Sequence, residues 1–475
     1  MKKNVKLLFI FFPILISIIQ CSPPKTNELN VIIISIDALR SDHISGYGYS
    51  RQTTPNIDAF LKKSTIFTEA VTTYPKTAAS MASMLTGLYP YHHGVRKNAG
   101  DKLSKSTNTL PQLLKDYGYT TAAFVSNVVL RAKLCGYNKG FDLYDDTLTS
   151  KELNRDFFER KSDDMFAATS SWLKKNKDKK FFLWTHFIDP HGPYTPPAPY
   201  DTLFKSTDKK PVDMNLIPAY QRLGNNNDAN SYIDLYDGEI AYMDYNVGQL
   251  LKTIDDLGLK NKTIIIFTAD HGESLGEHND YFEHGRRVYE SCVRIPLAVN
   301  FPGIIPEGRK VNSHVQIIDI FPTILDMLNI RKADEIDGKS LLPVIRENKP
   351  VREYAFLESF NQYKPPTVPK NIAFYKAIRT PDWKFTVSID KSGKIVNEEL
   401  FNLKNDPAET KNIAKENNNE KTTMRKEYDK MIDSQKKNLL ERMLLLFGFG
   451  KEKKETVKSI EKNDIKALKS LGYVQ

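Results

Sequence analysis

Apolar and polar positions fall in blocks along this chain. In "NVIIISIDALRSDH", five of the six residues from Val31 to Ile36 are β-branched and apolar. An uninterrupted run of this kind predicts a strand buried on both faces, as in a parallel sheet. The run stops at Asp37. The same unit recurs: "TTAAFVSN" (120–127) follows the helical pattern of "TLPQLLKDYGY", "KKFFLWTHFIDPHGPY" (179–194) follows a helix ending near Lys175, and "KTIIIFTADHGE" (262–273) follows "YMDYNVGQLLKTIDDLGL". Helix, buried strand, then polar residues is the rhythm of an α/β sheet with helices on both faces.

The pattern changes near residue 350. "AFYKAIRTPDWKFTVSIDKSGKIVNEELFNL" (373–403) predicts short strands joined by turns, a meander, and a charged helical stretch runs on to about 442. The Pro-rich "NQYKPPTVPK" marks the joint, so a main domain over 30–360 and a smaller α+β subdomain over 361–475 are expected. "MLLLFGFG" (443–450) is too short to span a bilayer and is read as a packed helix end.

At the amino terminus, "MKKNVKLLFIFFPILISIIQCS" gives a short basic region, an apolar stretch from Leu7 to Ile19, and then Cys21. The stretch falls short of the roughly 20 residues of a spanning helix and has the layout of a secretion signal. Cys21 resembles the acceptor of bacterial lipoproteins, with Gln20 where a small residue is usual. Residues 1–21 are therefore expected to act as a signal, with an uncleaved anchor as the alternative, and 22–29 as a tether. An exported protein in the periplasm or cell envelope, bound to the membrane through its amino terminus, is the expectation.

Composition narrows the class. With 475 residues, 40% apolar and 27% charged, the chain fits a globular protein with a sizeable core. The formal charge of +10 comes without a block of Lys/Arg interleaved with aromatics, which argues against nucleic acid and for anionic substrates or a lipid surface. Cys135 and Cys292 are far apart and belong to no CxxC or Cys/His cluster; both are read as buried small residues.

Candidate chemistry gathers where strands end. In open α/β sheets sites form outside the carboxyl ends of the strands. Asp37, the His186/His191 pair and Asp270/His271 all sit at such ends, and Asp and His there can grip one divalent cation. Eight of the nine histidines lie in or beside such segments; His314 is the exception. In "TYPKTAASMASMLTG" (73–87), Thr77 stands at the first position of a small-residue helix, either as its N-cap or as a nucleophile aimed at an anion.

These segments resemble the sulfatase family of the alkaline phosphatase superfamily. "VIIISIDALRSDHISGYGYSRQTTPNIDAF", "MASMLTGLYPYHHGV", "THFIDPHGPYTPP", "YDGEIAYMD", "FTADHGESLGEH", "YFEHGRRVYESCVRIPLAV", "DIFPTILDML", "DGKSLLP" and "LFNLKNDPAETKNIA" are similar to family segments in their usual order. The likeness runs from about residue 30 to "LKSLGYV". It implies an α/β/α sandwich with a mostly parallel central sheet, one divalent ion (Ca, Mn, Mg or Zn), and a nucleophile at a helix start. Asp37, Asp270 and His271 match metal ligands. His191 and His284 match positions that protonate a leaving group or contact the anion. His186, and Arg286 beside His284, are the candidate substrate-binding residues.

The chain also departs from the family. Ala38 stands where many sulfatases have a second Asp, and His271 replaces a frequent Asn, a set closer to the family's phosphonate and phosphate monoester hydrolases. The segment that in sulfatases supplies a Lys and a His corresponds to "FVSNVVL", which supplies neither. Thr77 occupies the position of the Cys or Ser that becomes formylglycine, and Ala79 and Met81 replace the Pro and Arg of that conversion signature. The extra methyl of threonine prevents oxidation to the formyl aldehyde. With a single hydroxyl, Thr77 cannot expel a bound ester group by elimination, so water or an alcohol must release it.

Three readings follow: a hydrolase of sulfate or phosphate esters working through Thr77, a phospho-group transferase with an alcohol acceptor, or an inactive surface protein that binds a glycan. The partner in each is an anionic ester, such as a sulfated or phosphorylated glycan or lipid.

Overall fold

The structure is a computed structural model that describes residues 29–151, 158–331, 336–360 and 371–448, with side chains to 435. The signal, Cys21, nearly all of the tether, the Pro-rich joint and the end of "MLLLFGFG" lie outside the described residues. No helix among the described residues is long and apolar enough to cross a membrane.

The run from Val31 to Ile36 forms β1 (Asn30–Ile36), buried at all seven positions. It lies inside an eight-stranded sheet. In chain order the other strands are β2 (Thr65–Val71), β3 (Thr120–Val125), β4 (Leu143–Asp145), β5 (Phe181–Phe187), β6 (Thr263–Ala269), β7 (Leu297–Asn300) and β8 (Lys310–Gln316). The spatial order is β8-β2-β7-β6-β1-β5-β3-β4. Only β7 runs antiparallel to its neighbours. β5 and β6 flank β1 in parallel, with Ser35 opposite His186 and Ile36 opposite Ala269. The polar residues that follow therefore emerge side by side at one edge.

The four longest helices among the described residues are α1 (Thr77–Thr86), α2 (Ser162–Asn176), α3 (Ala229–Asp256) and α4 (Asn418–Gly448). All ten residues of α1 are buried. Its Ala and Ser side chains permit that close approach, and its hydroxyls fix it in place: Ser80 Oγ donates to Asp270 O at 2.7 Å, and Ser83 bonds Thr73 at 2.8 Å. Gly87 ends the helix at φ 68°, where a side chain would also press on Phe321.

A second, four-stranded antiparallel sheet follows: β9 (Ala355–Phe360), β10 (Ile372–Arg379), β11 (Trp383–Asp390) and β12 (Ile395–Asn402). α4 packs on it through Met424 and Tyr428. Together these give the α/β sandwich with a mostly parallel sheet and a smaller carboxyl-terminal α+β part. Cys135 and Cys292 are both buried and free.

Candidate functional site

At the carboxyl edge, Asp37, His186 and Asp270 each offer one ligand atom within 4.8 Å of the others, and all three are buried. Asp37 Oδ2 lies 3.4 Å from His186 Nε2 and accepts from Asn127 Nδ2 at 2.5 Å. His271 Nε2 completes the ring, 3.3 Å from Asp270 Oδ2 and 3.7 Å from Asp37 Oδ1. His186 thus sits inside this cluster, beside the three residues expected to hold a metal.

The second bonds of these side chains fix their orientation. His271 Nδ1 faces Gly272 O at 2.8 Å, and His186 Nδ1 faces Ser35 Oγ at 2.8 Å, itself held by Trp184 Nε1 at 2.9 Å. With each Nδ1 engaged, both Nε2 atoms present lone pairs to the cluster. Asp270 Oδ1 accepts from Ala38 N at 3.0 Å and His271 N at 2.7 Å. Ala38 adopts φ 54°, pinned by Tyr236, whose hydroxyl donates to Ala38 O at 2.8 Å.

The donor set fits a divalent cation. Asp37 Oδ1 and Asp270 Oδ2 are buried without a hydrogen-bond partner. Two carboxylates side by side in a dry site cannot both ionise easily. Burial raises Asp37, but the imidazoles of His191, His186 and His271 outweigh it and hold the carboxyl low, while burial and the Asp37 charge push Asp270 well above the usual range. A doubly charged ion with O and N ligands resolves that repulsion.

Thr77 faces this cluster: its Oγ1 lies 3.3 Å from His271 Nε2. It is not the N-cap. Lys76, extended at φ −146° and ψ 139°, takes that position and Thr77 is the first helical residue. Its hydroxyl is therefore free of helix duty and turned to the polar centre.

His284 stacks on His271 with ring centroids 4.1 Å apart, and His191 meets His284 edge-on at 5.1 Å. His284 Nδ1 lies 3.1 Å from Glu273 Oε1. Burial raises Glu273 to about 8, and burial with the repulsion of His191 holds His284 well below the usual imidazole range. Burial thus favours the neutral form of both groups. Arg286 forms an ion pair with Glu283.

Sequence reasoning missed Lys76, Asn127 and Glu273. Lys76 is 4% exposed, its stem lies over Gly285, and burial, then Arg286 and Lys97, lower it to about 7. Its Nζ donates to Phe360 O at 3.4 Å and lies near enough to His284 to repel its protonated form. Only its place directly before Thr77 could have signalled this.

Residues 29–330 match the family model "Sulfatase", and residues 276–437 match "N-sulphoglucosamine sulphohydrolase, C-terminal". An arylsulfatase of Clostridium perfringens is 27% identical across 87% of this chain and 94% of its own length. An N-acetylglucosamine-6-O-sulfatase of Bacteroides thetaiotaomicron is 23% identical, covering 87% and 88%. Among solved structures, a protein in complex with its substrate D-glucosamine-2-N,6-O-disulfate superposes with TM-score 0.72 at 22% identity, over 86% of this chain and 99% of that one. The phosphonate monoester hydrolase of Agrobacterium radiobacter gives 0.68 at 22%, over 86% and 96%. With almost two-thirds of its length matched by the family model, the chain belongs to the sulfatase family of ester hydrolases.

Proposed function

We propose that this protein cleaves a sulfate or phosphate ester of a sugar by attack of Thr77 Oγ1 on sulfur or phosphorus, and that it does so outside the cytoplasm, held to the cell envelope by its amino terminus. The observation that carries the catalytic reading is the buried Thr77 hydroxyl, released from capping and 3.3 Å from His271 Nε2. Asp37, His186, Asp270 and His271 are the residues that would hold a divalent ion, which supplies the positive charge that acidifies a neighbouring hydroxyl and offsets an ester anion.

The chain's own groups divide the remaining work. Lys76 and Arg286 bring positive charge to the anionic end of the ester. Thr77 Oγ1, its proton given up to solvent, forms the new bond as the bond to the ester's alcohol breaks, and that alcohol takes its proton from His284, replenished through Glu273, or from His191. Water then cleaves the Thr77 ester and frees the anion. A sugar substrate is favoured by the relatives named for N-acetylglucosamine-6-O-sulfate and glucosamine disulfate, and phosphorus by the phosphonate monoester hydrolase likeness.

One feature favours a second reading. Thr77 lacks the geminal hydroxyl of formylglycine, so release needs an external acceptor, and an alcohol serves as well as water. Transfer of a phospho group to an alcohol is then the reaction. A panel of p-nitrophenyl sulfate, phosphate and phosphodiester, each with Ca, Mn, Mg or Zn, tests the hydrolase. Turnover of any ester, lost in Thr77→Ala, is expected. A modified Thr77 in intact mass that only an added alcohol discharges would establish the transferase, and no turnover with no modified Thr77 would refute both.

A further inference from the structure

All the parallel strands begin at the edge opposite the catalytic centre, and lysines precede most of those starts. The five segments 62–64, 115–119, 174–180, 257–262 and 301–310 hold twelve Lys/Arg against three Asp/Glu. They lead into β2, β3, β5, β6 and β8 in turn. Spread along the strand order, these loops cover the edge of an eight-stranded sheet, about 30 Å wide at roughly 4.8 Å per strand.

Helix dipoles explain only part of this. A cation at a helix carboxyl end is favoured by the macrodipole, which accounts for Lys115, Lys174 and Lys175. It does not account for Lys179 or Lys310, which lie beyond the helices. Nor are the charges neutralised locally: Lys115 pairs with Asp142 and Lys177 with Asp178, and the described residues hold no carboxylate within ion-pair distance of the other ten.

Apolar groups stand out at the same edge. Tyr117 is 49% exposed in the loop before β3, and Ile304 is 38% exposed in the loop before β8. A cavity of about 270 Å³ opens there, with Phe60, Leu251 and Ile265 in its lining, and three lysines, Lys63, Lys252 and Lys260, beside them against one carboxylate, Asp255. Lysines flanking an apolar pocket and exposed Tyr and Ile suit an amphiphile with an anionic head.

β1 starts at Asn30 on this same edge, so the chain enters the sheet here, and the apolar run from Leu7 to Ile19 precedes that entry in sequence.

We propose that this lysine-rich edge of the sheet docks on an anionic lipid bilayer. The wide edge, the exposed apolar side chains and the entry of the chain into β1 at this edge all suit a surface rather than a single polymer strand. The docked orientation sets Asp37 and Asp270 at the far end of β1 and β6, about 23 Å from the lipid at 3.3 Å per residue. Substrates are then drawn from the aqueous side, and esters embedded in the same bilayer are out of reach. The docking surface is independent of the Thr77 chemistry.

The test is partition of the full chain onto phosphatidylcholine vesicles and onto vesicles that also contain phosphatidylglycerol, at low and high salt. The comparison protein carries Lys63→Glu, Lys179→Glu, Lys262→Glu and Lys310→Glu together. Any binding through the apolar amino-terminal run is common to both vesicle types and both proteins, so the informative quantity is the preference for phosphatidylglycerol. The parent is expected to prefer the anionic vesicles at low salt and to lose that preference at high salt. At about fivefold per charge, the fourfold reversal lowers the preference by at least about a hundredfold, while an unchanged melting temperature shows the variant to be folded. Equal partition of the parent onto both vesicles, or a preference that survives the reversal, overturns the proposal. So does retention of a soluble sulfated polysaccharide by these lysines without any preference for the anionic vesicles.

Discussion

Thr77 Oγ1 stands 3.3 Å from His271 Nε2 in a centre where both residues are fully buried. A threonine serving as a helix cap would turn its oxygen back to the helix N–H groups; here Lys76 holds the cap position. Replacing the hydroxyl therefore tests catalysis more than folding. Thr77→Ala should lower ester cleavage by at least about a thousandfold, as loss of a covalent nucleophile does elsewhere, while Thr77→Ser stays within about tenfold. Steady-state rates on the p-nitrophenyl panel measure both. An active Thr77→Ala would move the attacking group to another residue.

Asp37 and Asp270 put two carboxylates in one dry site, each with an oxygen lacking a hydrogen-bond partner. Without a cation this arrangement is a liability, because burial and the Asp37 charge act together on Asp270. Asp270→Asn should therefore stabilise the metal-stripped protein, by about 1 to 3 kcal/mol. The parent should gain about 2.7 kcal/mol at a hundredfold excess of ion over its dissociation constant, and the variant should lose most of that gain. Melting temperatures with and without chelator give both numbers. A variant that responds to metal as the parent does would show that Asp270 is no ligand.

Much of this centre was legible because chemistry and fold periodicity coincide. Asp37 and Asp270 each break a run of buried apolar residues, so the sequence shows both the strand and its end. The meander after residue 372 was equally visible in its alternation. β2, β7 and β8 were not seen. Glu69 interrupts "TIFTEAV" because it pairs with Arg379 and Arg294, and β7 has only four residues. Lys76 escaped for a different reason: a lone lysine reads as solvated surface, and only tertiary packing against Gly285 buries it.

That burial makes Lys76 a stability prediction with a definite sign. Its folded value, about 7, lies below the ordinary 10.5 because burial opposes the charge and Arg286 and Lys97 repel it. Between those two values the unfolded chain binds more protons, so stability rises with pH across that window. Lys76→Met removes the penalty. The variant should melt higher than the parent by a margin that is greatest at or below pH 7 and shrinks toward pH 10.5, while its KM for an anionic ester rises. A margin independent of pH would mean that Lys76 keeps its ordinary lysine value on folding, and the burial penalty assigned to it would fall.

Arg379 and Glu290 join the two sheets. The guanidinium grips both Glu290 oxygens, at 2.9 and 2.8 Å, and reaches Glu69 at 2.7 Å on β2. Lys384 adds contacts to Glu290 at 3.1 Å and Glu409 at 2.6 Å, and Glu409 in turn accepts from Glu290 N at 2.6 Å. Arg379 and Lys384 are at most 1% exposed, so removing one partner leaves charge stranded away from water. Arg379→Met should cost about 3 to 5 kcal/mol, with little change between low and high salt because the pair is screened from solvent. Glu290 lies six residues after His284, so the same change should lower turnover before the protein unfolds. Urea midpoints and rates measured on one preparation separate the two effects. A loss of stability with full turnover would show that the second sheet braces the main sheet without positioning His284.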